Sequence, residues 1–186
     1  PAWKGVKLVA ALGQHSYWFM GVRKDLDIPR GNIKALKGLR IATSFAFPRL
    51  GLLHMLREGG LDVDRDVRIV QNLPSKSESH SYDGIRALQE NVADGFWGNG
   101  MRVALAEKAG IGKLHLDLRR GDGPAGALHY NFAALTMTDA LIRKEPEVAA
   151  AAVRAIVATQ KALKADPLQT KRVGDELFPG EVAELM

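Results

Sequence analysis

An α/β fold, with a mainly parallel sheet and flanking helices, is predicted by two features of the sequence. Short apolar runs typical of buried strands alternate along the chain with longer segments of helical periodicity. Glycine, proline and capping residues mark the ends of the helical segments. Strands that alternate with helices of this length are joined by right-handed crossovers and form largely parallel sheets.

The first expected elements are two nearby strands, "VKLVAAL" and "SYWFMGVR", followed by a linker around "DIPRGNIKALKG". The run "LRIAT" (39–43) then predicts a buried strand. The helix expected in "FPRLGLLHMLREGG" has Pro48 in its first turn, where proline is tolerated, and Gly59-Gly60 as its left-handed end.

Two further strand and helix pairs follow. "VRIVQ" (67–71) is predicted to be a strand, and "SYDGIRALQEN" a helix with Ser81 as its N-cap and Asp83 as a favourable charge in the first turn. "ADGFW" (93–97) is the next predicted strand, after which Asn99 is expected to cap a helix that ends near Ala109.

The last third of the chain begins with the alternating pattern of "KLHLDLR" (113–119) and a strand in "NFAALTMT" (131–138). The segment "PEVAAAAVRAIVATQKALKADP" carries the clearest helical periodicity, with its apolar residues on one face. Pro146 is expected to open this helix and Asp166-Pro167 to close it.

The composition excludes several classes of protein. With 186 residues, 46% of them hydrophobic, the chain is long enough for one large or two small cores. It has no cysteine, which excludes disulfide bonds, thiolate metal sites and a cysteine nucleophile. The net charge is +5, but acidic residues are interleaved with the basic ones, so no nucleic-acid partner is expected.

Candidate site residues follow the predicted strands. Ligands of open α/β sheets bind beyond the carboxyl ends of the strands, where helix N-termini offer unpaired N–H groups. Thr43-Ser44, residues 79–82 and residues 97–100 fall at such ends and are expected to converge on one crevice. Trp97 fits a pocket wall, where it would be partly exposed, or a core position, and Thr43-Ser44 fit a ligand contact or ordinary turn chemistry.

The turn Gly98-Asn99-Gly100 resembles part of a dinucleotide loop, but Val103 stands where that motif has its third glycine. We therefore expect the two glycines to let the backbone approach a small ligand beside Trp97. The histidines show no metal-ligand spacing, and no nucleophile elbow or phosphate loop occurs. The sequence thus predicts a binding protein with no metal, no cofactor and no catalytic residue.

Three stretches resemble the nitrate/sulfonate/taurine-type substrate-binding proteins of bacterial ABC importers. They are "IKALKGLRIATSF", "ALQENVADGFWGNG" and "NFAALTMTDALIRKEPEVAAAAVRAIVATQKALKADP". The resemblance implies a type II periplasmic-binding-protein-like fold with two α/β lobes. It implies a partial first lobe and crossover in residues 1–37, a complete second lobe in 38–136 and return helices of the first lobe in 137–186.

The family's first lobe opens with a strand–helix repeat that has no counterpart before Pro1, so we expect a processed or truncated chain with an incomplete first lobe. The residues expected to contact the ligand, from the resemblance and the strand ends together, are Gln14, His15, Thr43, Ser44, Phe45, His80, Tyr82, Trp97 and Asn99.

The function that the resemblance implies is that of a solute receptor. It would bind a small polar or anionic molecule, such as a sulfonate or nitrate, between two lobes and deliver it to an ABC permease. We expect a periplasmic or lipid-anchored monomer outside the cytoplasmic membrane. Two alternatives share the architecture: the effector domain of a LysR-like transcription regulator, and a thiamine-pyrimidine-synthase-like enzyme, whose cysteine-rich motif this chain lacks.

Overall fold

The chain forms two compact units, one of Pro1–Gln14 with Asn131–Met186 and one of His15–Tyr130. A computed structural model describes residues 4–44, 47–71, 84–131, 133–178 and 180, without the side chain of Phe47. The strands are β1 (Val6–Ala11), β2 (Trp18–Arg23), β3 (Arg40–Ala42), β4 (Arg68–Val70), β5 (Gly95–Asn99), β6 (Gly112–Asp117) and β7 (Ala134–Thr138). The helices are α1 (Phe47–Glu58), α2 (Gly84–Gln89), α3 (Gly100–Lys108), α4 (Ala125–Leu128), α5 (Asp139–Lys144), α6 (Pro146–Ala165) and α7 (Pro167–Leu177).

The larger unit is built on a five-stranded sheet with the order β4-β3-β5-β2-β6. Strand β3 pairs in parallel with β4 and β5, whereas β2 pairs antiparallel with β5 and β6. Four strands therefore run in one direction, as predicted, and β2 runs against them between β5 and β6. Its apolar residues alternate between the two faces, so β2 is buried on both sides, as a central strand must be.

Each face of this sheet carries its own hydrophobic core. On one face α1 packs over a core that includes Met20, Ile41, Leu52, Leu56 and Trp97. The opposite face is covered by α2 and α3, with Phe19, Ala42, Leu88, Phe96 and Val103 in its core. Neighbours along a strand fall into different cores because successive side chains point to opposite faces. This alternation determines which strand-end residues lie together on the α1 face.

The smaller unit pairs β1 with β7 in a two-stranded antiparallel sheet, which α5, α6 and α7 accompany. The predicted long helix is α6, with Pro146 in its first turn, and the side chain of Asp166 caps the next helix by accepting a hydrogen bond from Leu168 N. Within the described residues, no helix is long and apolar enough to cross a membrane.

The two N-terminal strands are close in the sequence but lie in different sheets, because β1 pairs with β7 and β2 with β5 and β6. The predicted second lobe, residues 38–136, therefore differs from the larger unit at both ends. Residues 15–37 contribute β2 and the buried Leu36 to the larger unit, and β7 lies in the smaller one.

Candidate functional site

The candidate site lies where the parallel strands of the five-stranded sheet end. We call this end the carboxyl edge of the sheet. Strands β3, β4, β5 and β6 all end at this edge, and the antiparallel strand β2 begins there. Carboxyl ends of parallel strands are the usual place for ligands in open α/β sheets, because the chain turns into helix N-termini there. The sequence predicted this edge as the site for the ends of β3 and β5.

Three polar side chains form a row across this edge on the α1 face. Ile41 is in register with Ile69 on β4 and with Gly95 on β5. Two residues further along each strand, Thr43 is therefore level with Gln71 and Trp97. The ladder continues to this level, since Thr43 N donates a hydrogen bond to Val70 O at 3.1 Å. Neighbouring strands lie about 4.8 Å apart, so the three residues are adjacent across β4, β3 and β5. We call Gln71, Thr43 and Trp97 the donor row.

The polar atoms of the donor row are buried and unpartnered. Thr43 is 1% exposed and Trp97 2% exposed. No hydrogen-bond partner exists among the described residues for Thr43 Oγ1, Gln71 Nε2 or Trp97 Nε1. A buried polar group without a partner costs about 1–3 kcal/mol, so native proteins retain such groups mainly where something else satisfies them. The donor row is therefore the strongest local indication of a ligand.

An aromatic stack runs from the donor row towards the surface. The ring centres of Trp97 and Trp18 are 6.3 Å apart, and those of Trp18 and Tyr17 are 5.5 Å apart. The rings of both pairs are nearly parallel. Tyr17 is 39% exposed, and partial burial raises the pKa of its hydroxyl above 10.0. Trp97, in contrast, is part of the α1-side core, so the partial exposure expected of a pocket wall is not found in this structure.

Among the other predicted contacts, Ser44 is half-buried directly after Thr43, three residues before α1 begins. Unpaired N–H groups and the helix dipole make the start of a helix favourable for negative charge. Phe45, His80 and Tyr82 lie outside the described residues, as do Ser81 and Asp83, the expected cap and first-turn charge of the following helix.

Asn99 caps α3, as predicted: its side-chain oxygen accepts a hydrogen bond from Arg102 N at 3.1 Å. The two flanking glycines differ from the prediction. A Cβ at Gly98 would lie 3.3 Å from the Phe96 ring, and one at Gly100 would lie 3.0 Å from the Phe19 ring. Both glycines thus make room for aromatic rings of the protein itself, which corrects the expectation that they open the backbone to a ligand.

Gln14 and His15 are exposed and fall in different units, with Gln14 ending the first segment of the smaller one. His15 has a left-handed backbone with φ of 68°, and its ring lies 5.4 Å from that of His129. The geometry thus places His15 beside another histidine on the surface of the larger unit. Ligand contact by either residue stays a prediction.

A buried carboxylate lies at the same edge but on the opposite face. Asp117 is 2% exposed and is in register with Phe19, a residue of the α2–α3 core. Its oxygens accept hydrogen bonds from Arg119 N at 3.0 Å and from the Arg119 guanidinium at 3.2 Å. The guanidinium also lies 4.5 Å from the centre of the Phe19 ring. Asp117 therefore has its own partner and does not face the donor row.

Gln71 and Trp18 are site residues that no local sequence signal reveals. Gln71 follows a strand of three residues, and only the register of β4 with β3 shows that it lies level with Thr43. Trp18 begins a strand, and only the stacking of its ring on that of Trp97 brings it beside the donor row. Across the described ranges, no cluster of three or more His, Asp or Glu side chains could hold a metal ion.

Solved structures share this fold. The sequence matches no protein-family model and no curated protein sequence. A protein described as the periplasmic sulfonate-binding protein SsuA of Methylobacillus flagellatus matches 96% of this chain with a TM-score of 0.71 and 23% identity. The alkanesulfonate-binding protein SsuA of Xanthomonas axonopodis, bound to MOPS, matches 97% with a TM-score of 0.68 and 14% identity. The periplasmic nitrate-binding protein NrtA of Synechocystis matches 95% with a TM-score of 0.65 and 15% identity.

The chain thus has the fold of periplasmic ligand-binding proteins of ABC importers, which confirms the predicted fold class. It spans about half the length of these structures, covering 51%, 58% and 45% of the three. At such identities the likeness concerns the fold, and a function must be argued from the site itself.

Proposed function

We propose that this chain belongs to a solute-binding receptor of an ABC importer and binds a small polar or anionic molecule, such as a sulfonate or nitrate. The observation that carries the proposal is the donor row, with its buried and unpartnered polar atoms at the carboxyl edge of the sheet. The fold shared with sulfonate- and nitrate-binding proteins supports the same class of function.

The electrostatics of the edge support a polar or anionic ligand. The indole N–H of Trp97 and the amide N–H groups of Gln71 can only donate hydrogen bonds, and the hydroxyl of Thr43 can also donate. A hydrogen bond to an ionised group is roughly twice as strong as one between neutral groups. The nearby start of α1 adds a favourable field for negative charge.

Binding at this site needs no catalytic group. The donors are fixed by strands on either side, so they lose little freedom when a ligand arrives. Their burial in a low-dielectric core strengthens each hydrogen bond that the ligand makes. We therefore assign the chain a binding role rather than an enzymatic one. A substitution in the donor row should change the affinity for the ligand and should abolish no turnover.

The biological context that we propose follows from the importer role. The receptor would act on the outer side of the cytoplasmic membrane, in the periplasm or held there by a lipid anchor, and would deliver its ligand to a membrane permease. We propose that it acts as a monomer. We also propose that further ligand contacts complete the site, namely Ser44, Phe45, His80, Tyr82 and Asn99, together with Gln14 and His15.

A thermal-shift screen of the intact protein tests the proposal. The panel contains sulfonates, nitrate, bicarbonate, pyrimidines and aromatic acids. A ligand held at about a hundred times its dissociation constant stabilises the protein by ~2.7 kcal/mol, which is readily detected. We expect stabilisation by sulfonates or nitrate, and a loss of that stabilisation in Thr43→Val. Stabilisation by none of the panel would contradict the proposal, as would turnover of a bound compound.

A further inference from the structure

We propose that His15 and His129 form a binding site for one divalent transition-metal ion, such as Zn²⁺, on the surface of the larger unit. The inference goes beyond the proposed function, because it concerns a cation held by two imidazoles and not the solute held by the donor row. It stands whether or not the chain acts as a solute receptor.

The backbone brings the two histidines together from distant parts of the sequence. Ser16 N, next to His15, donates a hydrogen bond to Leu128 O, next to His129, at 3.0 Å. His129 directly follows α4 and ends that helix. The two histidines therefore lie on segments that are tied to each other beside the pair, which fixes where each side chain begins.

The separation of the two rings fits a shared ion. Their centres are 5.4 Å apart, and their planes are inclined by 56°, so the rings are not stacked face to face. Zinc bonds an imidazole nitrogen at about 2.0–2.1 Å, which puts the ion about 3.2 Å from each ring centre. At the tetrahedral angle of zinc sites, two such rings have centres about 5.2 Å apart. The pair therefore needs little movement of the chain to coordinate one ion.

The accessibility and chemistry of the pair also suit a metal ion. Both side chains are exposed, so a hydrated ion can reach them. A neutral imidazole offers one nitrogen lone pair, and imidazole is a favoured ligand of zinc, copper and nickel. Across the described ranges, no third His, Asp or Glu joins the pair in a group that could hold a metal. Water would therefore fill the remaining positions on the ion, as it does in open zinc sites.

Two other histidines lie in the described part of the chain, and neither has this arrangement. His115 is 1% exposed, and its Nε2 lies 3.0 Å from Asn32 O. His54 is half-buried, and its ring centre lies 6.1 Å from that of Tyr130. His54 therefore provides a matched control for the loss of an imidazole from the same unit.

A bound ion should also stabilise the folded chain. The larger unit begins at His15 and ends at Tyr130, directly after His129. An ion coordinated by both histidines thus links the two ends of this unit. The folded chain presents both ligands at once, whereas the unfolded chain has no preformed pair. We therefore expect zinc to raise the melting temperature in proportion to its binding.

The test is isothermal titration of the intact protein, without a histidine tag, with zinc chloride and with magnesium chloride. We expect one zinc ion per chain and no magnesium binding, because magnesium takes oxygen ligands. Loss of an outer-shell partner already weakens metal binding by about 10–100-fold, so loss of either imidazole should weaken zinc binding at least about tenfold. His15→Asn and His129→Gln remove the imidazoles, and His54→Gln should keep the affinity of the parent. Asparagine suits position 15 because it adopts the left-handed backbone found there, with φ of 68°.

The outcomes separate this inference from the proposed function. Circular-dichroism melts first establish that each variant folds, and zinc should raise the melting temperature of the parent and of His54→Gln only. A parent that binds no zinc, or an unchanged zinc affinity in either folded variant of the pair, would overturn the inference. An equal loss of affinity in His54→Gln, or magnesium bound as tightly as zinc, would also overturn it. If His15→Asn does not fold, His129→Gln decides alone. None of these results bears on the solute receptor, which the ligand panel tests.

Discussion

Replacing Thr43 by valine should make the ligand-free protein more stable and a weaker binder. Valine has nearly the shape of threonine but lacks the hydroxyl, so the change removes one polar atom from the donor row with little change in volume. Thr43 is 1% exposed, and its Oγ1 finds no partner among the described residues. The side chain therefore has no protein hydrogen bond to lose.

The magnitude follows from the burial of that hydroxyl. A buried polar group without a hydrogen bond destabilises a protein by about 1–3 kcal/mol, and valine is free of this penalty. The methyl group that replaces the hydroxyl adds up to ~0.8 kcal/mol through burial of apolar surface. We expect the free energy of unfolding to rise by about 1–3 kcal/mol. In a protein of this size each kcal/mol shifts the melting temperature by about 2–4 °C.

The assay is urea unfolding of the ligand-free protein, with titration of methanesulfonate into the same preparations. Thr138→Val is the matched control, because Thr138 also ends a strand and precedes a helix. Its Oγ1 accepts a hydrogen bond from Leu141 N at 3.1 Å, so its loss should destabilise the protein by about 0.5–2 kcal/mol.

A destabilised Thr43→Val variant would refute the reasoning, since it would mean that the hydroxyl has a structural partner. An unchanged affinity for methanesulfonate in this variant would separately remove Thr43 from the ligand contacts. Either conclusion requires that the control variant Thr138→Val has a lower free energy of unfolding than the parent protein.

Three further predictions concern buried positions of the larger unit. A Cβ at Gly84 would lie 2.5 Å from Phe96, so Gly84→Ala should lower the free energy of unfolding by about 1–3 kcal/mol in urea unfolding. Gly13→Ala is the control and should be neutral, because a Cβ at Gly13 would have no atom within 4 Å. Trp97→Ala should cost about 3–5 kcal/mol through the cavity that it leaves, and a smaller loss in urea unfolding would mean that Trp97 is not a core residue. Burial lowers the pKa of His115 below 6.5, so the stability contributed by its neutral ring is present above that pH and is lost as the pH falls towards the lower folded-state pKa. His115→Gln should flatten this dependence in melts across that range, and an unchanged slope would contradict the assignment.

The helices and strands could be predicted because their signals are local. Pro146 marks the start of α6 and Asp166-Pro167 its end, and Asn99 caps α3 through a residue only three positions away. The helices α4 and α7 were not predicted. The direction and partners of β2 could not be predicted in this way. They depend on pairing with β5 and β6, which lie about 70 to 100 residues further along the chain.

The site could be predicted only in part for the same reason. The sequence places Thr43 and Trp97 at strand ends, where α/β proteins bind ligands, but nothing local distinguishes Gln71 from any other polar residue after a strand. Its importance emerges from the register of β3 with β4 and from the missing partner of its amide. The role of the glycines beside Asn99 could not be predicted, because the rings that fill their space come partly from β2, far away in the sequence.

The most direct test of a ligand site at the donor row is the indole N–H resonance of Trp97. The chain has three tryptophans, so ¹⁵N-labelled protein gives three indole signals, and Trp97→Phe assigns the one of interest. Titration with methanesulfonate should move this resonance downfield, because its unpartnered N–H acquires an anionic acceptor. Dimethyl sulfone, a neutral analogue, should move it much less. An unmoved Trp97 resonance in protein that demonstrably binds methanesulfonate would place the ligand elsewhere and contradict the account.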